Sequence, residues 1–183
     1  MTTQTKTFSE AEIKSGETIT RTFTFEAAHR LLNHPGKCRY LHGHSYTAFI
    51  TVCRMTQAEL AGYFVCSDHL PEILKKWDDL GMVADFALLK DGIGEWIQSN
   101  WDHNTLLHHQ DPLLAIQSNI SMLIGRTPYI MEYGNPTAEN MAKELHKIAN
   151  DNLSKYGLKV TQVVIQETRN CMACYSEKPY TGE

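Results

Sequence analysis

Residues 23–52, FTFEAAHRLLNHPGKCRYLHGHSYTAFITV, join two alternating runs with three histidines. On the first run Phe23, Phe25, Ala27 and His29 share a parity, which on a strand places them on one face. On the second, His42 and His44 flank Gly43, and their parity continues through Tyr46, Ala48, Ile50 and Val52. If the two strands pair, three imidazoles converge at one end of a hairpin. Three nitrogen ligands with an open fourth position are the pattern of a catalytic zinc, whereas structural zinc is usually closed by four ligands. A lone histidine is more often a surface or satisfied core residue than a ligand. Two imidazoles flanking one residue of an apolar strand are a stronger signal, because buried they need partners. Cys38 falls in the connecting loop, near enough to reach the open position or whatever binds there.

A chain of 183 residues fits one domain, 1–183, and is long enough to bury a core. Its net charge of -4 gives no reason to expect nucleic acid or an anionic membrane surface as a partner. No run of 18 apolar residues occurs, and the polar start MTTQTKTFSE lacks the basic-then-apolar pattern of a signal peptide, so the cytoplasm is the expected location. Five cysteines, an odd number without a secretory context, argue for free thiols.

Residues 1–17 are polar and patternless, a loose tail or a short added edge. The first strand is expected from about Ile19 to His29. In the loop that follows, Arg30, His34, Lys37 and Arg39 are either solvated charges or the partners of an anionic substrate such as a triphosphate. Thr56 and Glu59 have capping-box spacing, and a second helical segment starts near Asp68 or His69 with Pro71 in its first turn. Ile73, Leu74, Trp77 and Leu80 give that segment an apolar stripe, and Gly81 stops it. Asp85 opens another helix, carrying Phe86, Leu89, Ile93 and Trp96 at helical spacing and weakened by Gly92 and Gly94. In 104–134, a short helix capped by Asp111 and an extended piece at 128–132 are expected. Asn135 and Pro136 are read as cap and first turn of a longer helix whose face is Ala138, Met141, Ala142, Leu145, Ile148 and Ala149, ending at Tyr156-Gly157. Leu158 to Thr168 is a strand on which Val163, Ile165 and Glu167 share a face; by type alone, Glu167 belongs at a solvated strand end. The last strand lies around Met172 to Ser176. Cys171 and Cys174 form a C-x-x-C without a second pair, for which two inert thiols are a better reading than redox chemistry.

FTFEAAHRL followed by CRYLHGHS resembles the family of 6-pyruvoyl-tetrahydropterin and 6-carboxytetrahydropterin synthases. The short Cys38-to-His42 spacing and the wording LHGHS are more similar to the carboxy branch, which serves queuosine biosynthesis. The resemblance returns at MVADFALLK (82–90), WDHNTL (101–106), NPTAENMA (135–142) and VVIQETRNCMAC (163–174). It implies the tunnelling fold, an α+β arrangement in strand-strand-helix-helix-strand-strand order. Its antiparallel sheet carries helices on one face, and subunits join into rings stacked as hexamers with active sites at subunit boundaries. It implies zinc on His29, His42 and His44, and Cys38, Asp102 and His103 in proton transfer. Glu167 is implied to anchor a pterin through its amino group and ring N–H. The implied substrate is 7,8-dihydroneopterin triphosphate, with 6-carboxytetrahydropterin and acetaldehyde as products. A pyruvoyl-type synthase and a non-catalytic pterin- or zinc-binding relative stay open as alternatives. The asparagine usual four positions after the family's histidine is Leu107 here. Compared with compact members, 56–81 and 104–134 read as insertions.

Overall fold

In a computed structural model of the protein, residues 16–56, 59–60, 70–116, 121–122 and 125–177 are described. Residues 1–15 of the expected tail 1–17 and the helix start at Asp68 or His69 lie outside them, as do the side chains of Pro71 and Ile73.

Strands β1 (Ile19–His29) and β2 (His42–Arg54) form a hairpin in unbroken register from Ile19 opposite Val52 to His29 opposite His42. Both alternate as their sequences require, with Phe25, Ala27, Tyr46, Ala48, Ile50 and Val52 buried. β2 then pairs antiparallel with β5 (Leu158–Thr168), which pairs antiparallel with β6 (Cys171–Tyr175). On the other side of β1 lie β3 (Asn104–His108) and β4 (Tyr129–Met131), both running parallel to their neighbours. The sheet therefore has six strands in the order β4-β3-β1-β2-β5-β6. It is mixed, and the antiparallel expectation holds for β1, β2, β5 and β6 only. The helical crossover after β2 returns the chain to the free edge of β1 in the direction of β1, and this makes β3 parallel. The stretch 104–134, expected mainly as added length, contributes both of these strands.

Helix α1 (Leu70–Asp79) covers the end of β2. Buried Arg54 at the strand's end holds it there, bonding the Asp78 carboxylate and the carbonyls of Met82 and Val83, with the Trp77 ring 5.8 Å from its guanidinium carbon. Upstream, Thr56 and Glu59 do form a reciprocal capping box: the Thr56 amide donates to the Glu59 carboxylate at 2.8 Å, and the Glu59 amide to the Thr56 hydroxyl at 3.3 Å. Asp85 caps α2 (Phe86–Leu89) by accepting from the Ala87 amide at 2.8 Å. A π-helical turn, Lys90–Gly94, joins α2 to α3 (Glu95–Asn100). Gly94 in that turn is required by close approach, since a Cβ there would stand 2.9 Å from the Phe23 ring.

The long helix α4 (Ala138–Leu153) packs Met141, Ala142, Leu145, Ala149 and Leu153 into the core, each completely buried. At about 1.5–3 kcal/mol for a buried Leu or Met, this face is a principal reason the helix holds its place. Its cap is Thr137, not Asn135: the Thr137 hydroxyl accepts from the Asn140 amide at 3.3 Å. Both residues are cap types, and Asn135 is occupied elsewhere. A 3₁₀ turn (Ser154–Tyr156) and left-handed Gly157 end the helix. No helix among the described residues is long and apolar enough to cross a membrane.

Candidate active site

The hairpin register places His29 opposite His42 and Ala27 opposite His44, so the three imidazoles meet on the helix-covered face at the end of β1 and β2. One nitrogen from each lies within 4.8 Å of the others, an arrangement able to hold a metal ion. Gly43 lets the strands close there, because a Cβ would stand 3.3 Å from the Ala27 carbonyl oxygen. His29 Nδ1 donates to the Pro136 carbonyl at 2.8 Å, and His42 Nδ1 donates to the Tyr40 carbonyl at 2.7 Å. With both δ positions protonated by these partners, the two ε nitrogens carry bare lone pairs. They nonetheless face each other at 3.2 Å. Two acceptors at that distance repel unless a cation lies between them. Burial lowers the pKa of His29, and the Pro136 carbonyl and Glu167 only partly oppose it, so the ring stays neutral and able to ligate.

The backbone carbonyl that sets the His29 tautomer is held from outside the hairpin. Asn135 accepts from the Leu32 amide at 2.7 Å and donates to the Leu32 carbonyl at 3.0 Å. It thus ties the 30–41 loop to the segment ahead of α4 and brings Pro136 to His29. The asparagine-proline pair reads as a helix start in sequence, which concealed this role. The same loop carries Cys38 in a 3₁₀ turn (Lys37–Arg39), half-buried as a free thiol, with its carbonyl accepting from the Leu31 amide at 2.8 Å. Arg30 is engaged by buried Asp111 at 3.0 Å, and Arg39 lies over the Tyr40 ring.

Glu167 joins the histidines. Its Oε1 is 3.6 Å from His29 Nε2 and 3.9 Å from His44 Nε2, and its side chain is only 26% exposed. Its parity with buried Val163 and Ile165 sets it on the face of Tyr46 and His44, and in the β5–β6 ladder Gln166 pairs with Met172 and Thr168 with Cys171, which leaves Glu167 as the extra residue of a bulge. Tyr46 completes this end of the core, its ring edge-on to His29 at 5.9 Å and to His44 at 5.5 Å and stacked on Phe25 at 5.2 Å.

Asp102 and His103 do form a pair, with Asp102 Oδ2 at 2.9 Å from His103 Nδ1. Asp102 Oδ1 accepts from the Glu26 amide at 2.9 Å, and the His103 amide donates to the Glu26 carbonyl at 2.6 Å. Burial works against the Asp102 charge, but the Glu26 amide, His103 and Arg126 outweigh it and hold its pKa below the usual carboxylate value. His103 has a left-handed backbone, φ 54°, that turns the chain into β3. Among the described residues, no hydrogen bond or ion pair joins this pair to the three histidines. The pair opens on a cleft of about 400 Å³ whose lining includes Glu26, Gly43, His44, Ser45, His103 and Arg126, with Glu26 and Ser45 alternating to the strand face away from the imidazoles. Leu107, which stands where the resemblance leads one to expect asparagine, is fully buried in β3.

Fold and site together define a tunnelling-fold protein with a three-histidine cluster suited to a metal. The family model described as 6-pyruvoyl tetrahydropterin synthase matches residues 18–178. A 6-carboxy-5,6,7,8-tetrahydropterin synthase of Rickettsia typhi is 36% identical over 153 residues, which is 83% of this chain and 94% of that protein. The protein of the same name from Aquifex aeolicus is 28% identical over 179 residues, 87% of this chain and 98% of its own length. Among solved structures, an uncharacterized protein from Wolinella succinogenes superposes with a TM-score of 0.66 at 19% identity, covering 88% of this chain and 98% of that one. The 6-pyruvoyl tetrahydropterin synthase of Caenorhabditis elegans gives a TM-score of 0.53 at 20% identity, covering 88% and 96%. The chain belongs to the 6-pyruvoyl tetrahydropterin synthase family.

Proposed function

We propose that the protein is a zinc-dependent 6-carboxy-5,6,7,8-tetrahydropterin synthase. On this reading it converts 7,8-dihydroneopterin triphosphate to 6-carboxytetrahydropterin, acetaldehyde and triphosphate. The observation that carries this reading is the convergence of His29, His42 and His44 with two bare ε nitrogens 3.2 Å apart. Imidazole ligands at about 2.0–2.1 Å from a tetrahedral zinc stand about 3.3 Å from one another, so the donor set fits that ion. Bound there, zinc would supply Lewis acidity to oxygens of the pterin side chain. The carboxy branch is supported by the Rickettsia typhi relative, which carries that name and is matched over 94% of its length.

The chain's own residues supply the rest. Cys38, held in its loop beside the cluster, takes a proton from the pterin side chain. His103, oriented and kept in one tautomer by Asp102, handles the second proton. Glu167 meets the donors of the pterin ring, which a carboxylate can accept two at a time. Lys37 and Arg39, exposed beside Cys38, face the triphosphate, while Arg30 is taken up by Asp111. With Asp102 and His103 joined to the histidines by no hydrogen bond or ion pair among the described residues, the complete site is assembled between copies of the chain, whose outermost strands β4 and β6 present open edges for such association. The test is incubation of the zinc-loaded protein with dihydroneopterin triphosphate and an alcohol dehydrogenase that reports acetaldehyde. Acetaldehyde in step with triphosphate release is expected. Triphosphate without acetaldehyde would move the assignment to the pyruvoyl branch.

A further inference from the structure

Four buried side-chain polar atoms among the described residues have no hydrogen-bond partner: Arg30 Nε, Asp111 Oδ2, Trp101 Nε1 and Tyr46 Oη. Arg30 Nε and Asp111 Oδ2 face each other as an ion pair at 3.0 Å. Trp101 Nε1 lies near the Tyr129 hydroxyl, which interacts with it. That leaves the Tyr46 hydroxyl. Tyr46 is 1% exposed, and its ring packs edge-on against two of the three clustered imidazoles. The Glu167 carboxylate and the Cys38 thiol both lie within electrostatic reach of the hydroxyl, so groups of the site stand around this side chain. A buried hydroxyl left unpaired is destabilising, and a phenylalanine would fill the same space without that penalty.

We infer that Tyr46 is a ligand-binding residue of the site, its hydroxyl donating a hydrogen bond to an oxygen of the molecule bound against His29, His42 and His44. The inference rests on the pterin reading above and adds a recognition group to it. The phenol has no acceptor among the described residues of the ligand-free chain and gains one when the site is filled. Destabilisation of the empty state is then offset by binding, which is the pattern expected of a recognition group and not of a packing residue.

The isosteric variant Tyr46→Phe separates the two roles. Zinc content, thermal stability without ligand, and affinity for neopterin (an oxidised pterin that carries the hydroxylated side chain) are measured for both proteins. The expected result has three parts: unchanged zinc, ligand-free stability equal to or above wild type, and neopterin bound about 5- to 10-fold more weakly, the loss of one buried hydrogen bond. Neopterin bound equally well by both proteins overturns the inference, since the hydroxyl then finds its partner in water or protein. Loss of zinc from the variant also overturns it, placing the hydroxyl in metal retention. Wild-type protein that binds zinc but no neopterin overturns the pterin reading itself, and the assignment of Tyr46 falls with it.

Discussion

A carboxylate 3.6 and 3.9 Å from two imidazole ε nitrogens can close a metal site as a fourth ligand or reach beyond it to a bound molecule, and Glu167 stands at that choice. Its bulge allows either, because the residue has no partner in the β6 ladder. Glu167→Gln distinguishes the two. As a pterin anchor the amide would turn a donor toward the ring's donors, at roughly 1–3 kcal/mol, while bound zinc stays stoichiometric. Pterin titration and metal analysis on one preparation check this; zinc lost with pterin affinity intact would make Glu167 a metal ligand. For the thiols, geometry decides. Cys171 and Cys174 are three residues apart along β6, about 10 Å, and point to opposite faces. A disulfide needs Cα atoms within about 7 Å, so no bridge forms between them in this strand.

Among the elements, α4 holds the polar side chains that join the helix to the sheet. Buried Glu144 accepts from the Tyr129 hydroxyl at 2.7 Å and the Glu132 amide at 2.9 Å. Buried His146 donates from Nε2 to the Val160 carbonyl at 3.0 Å and accepts from Asn150 at 3.2 Å, which defines a neutral ring. Burial lowers its pKa below 6.5, against the opposing pull of Glu177 and the Val160 carbonyl, with Lys159 adding to the depression. The unfolded chain then binds more protons than the folded one just below pH 6.5. This contribution to stability is therefore complete above that pH and is lost as the pH falls through the folded-state pKa. Urea unfolding at pH 7.5 and at pH 5.5 is expected to show a smaller loss of stability for His146→Asn than for wild type. An equal loss in both would exclude His146 as a source of acid sensitivity. Helix starts were legible where one cap residue stood alone, as at Asp85 and Thr56. Asn135 and Thr137 compete two residues apart, and only the contact of Asn135 with Leu32 decides between them.

On the scale of the whole molecule, the proposed site between copies draws Cys38 and the Asp102–His103 pair from different chains of a closed ring. Cys38→Ala and His103→Ala are each expected to abolish turnover. Dissociated, mixed in equal amounts and reassembled, they should regain about a quarter of wild-type turnover, because one site in four then draws both intact groups from different chains. No recovery in assembled mixtures would mean that Cys38 and His103 act within one chain. The same scale explains why the sheet was only partly legible. Alternation and turn residues revealed β1, β2, β5 and β6, whereas β3 is five residues without clear alternation and β4 only three. Their place depends on which edge the crossover meets.

What the sequence determined by itself is what depends on near neighbours: parity along each strand, hence three imidazoles on one face, and the apolar stripe of α4. Residue spacing is enough for these because the strand period of two and the helix period of 3.6 act over a few residues. Tertiary structure alone decided what depends on residues about a hundred positions apart. The Pro136 carbonyl sets the tautomer of His29, the pairing of β5 with β2 sets Glu167 beside the cluster, and the pairing of β3 with β1 brings Asp102 and His103 to the Glu26 backbone. Each of these is a hydrogen bond or a register whose two halves carry no mark of each other in the chain, so only the packed fold brings them together.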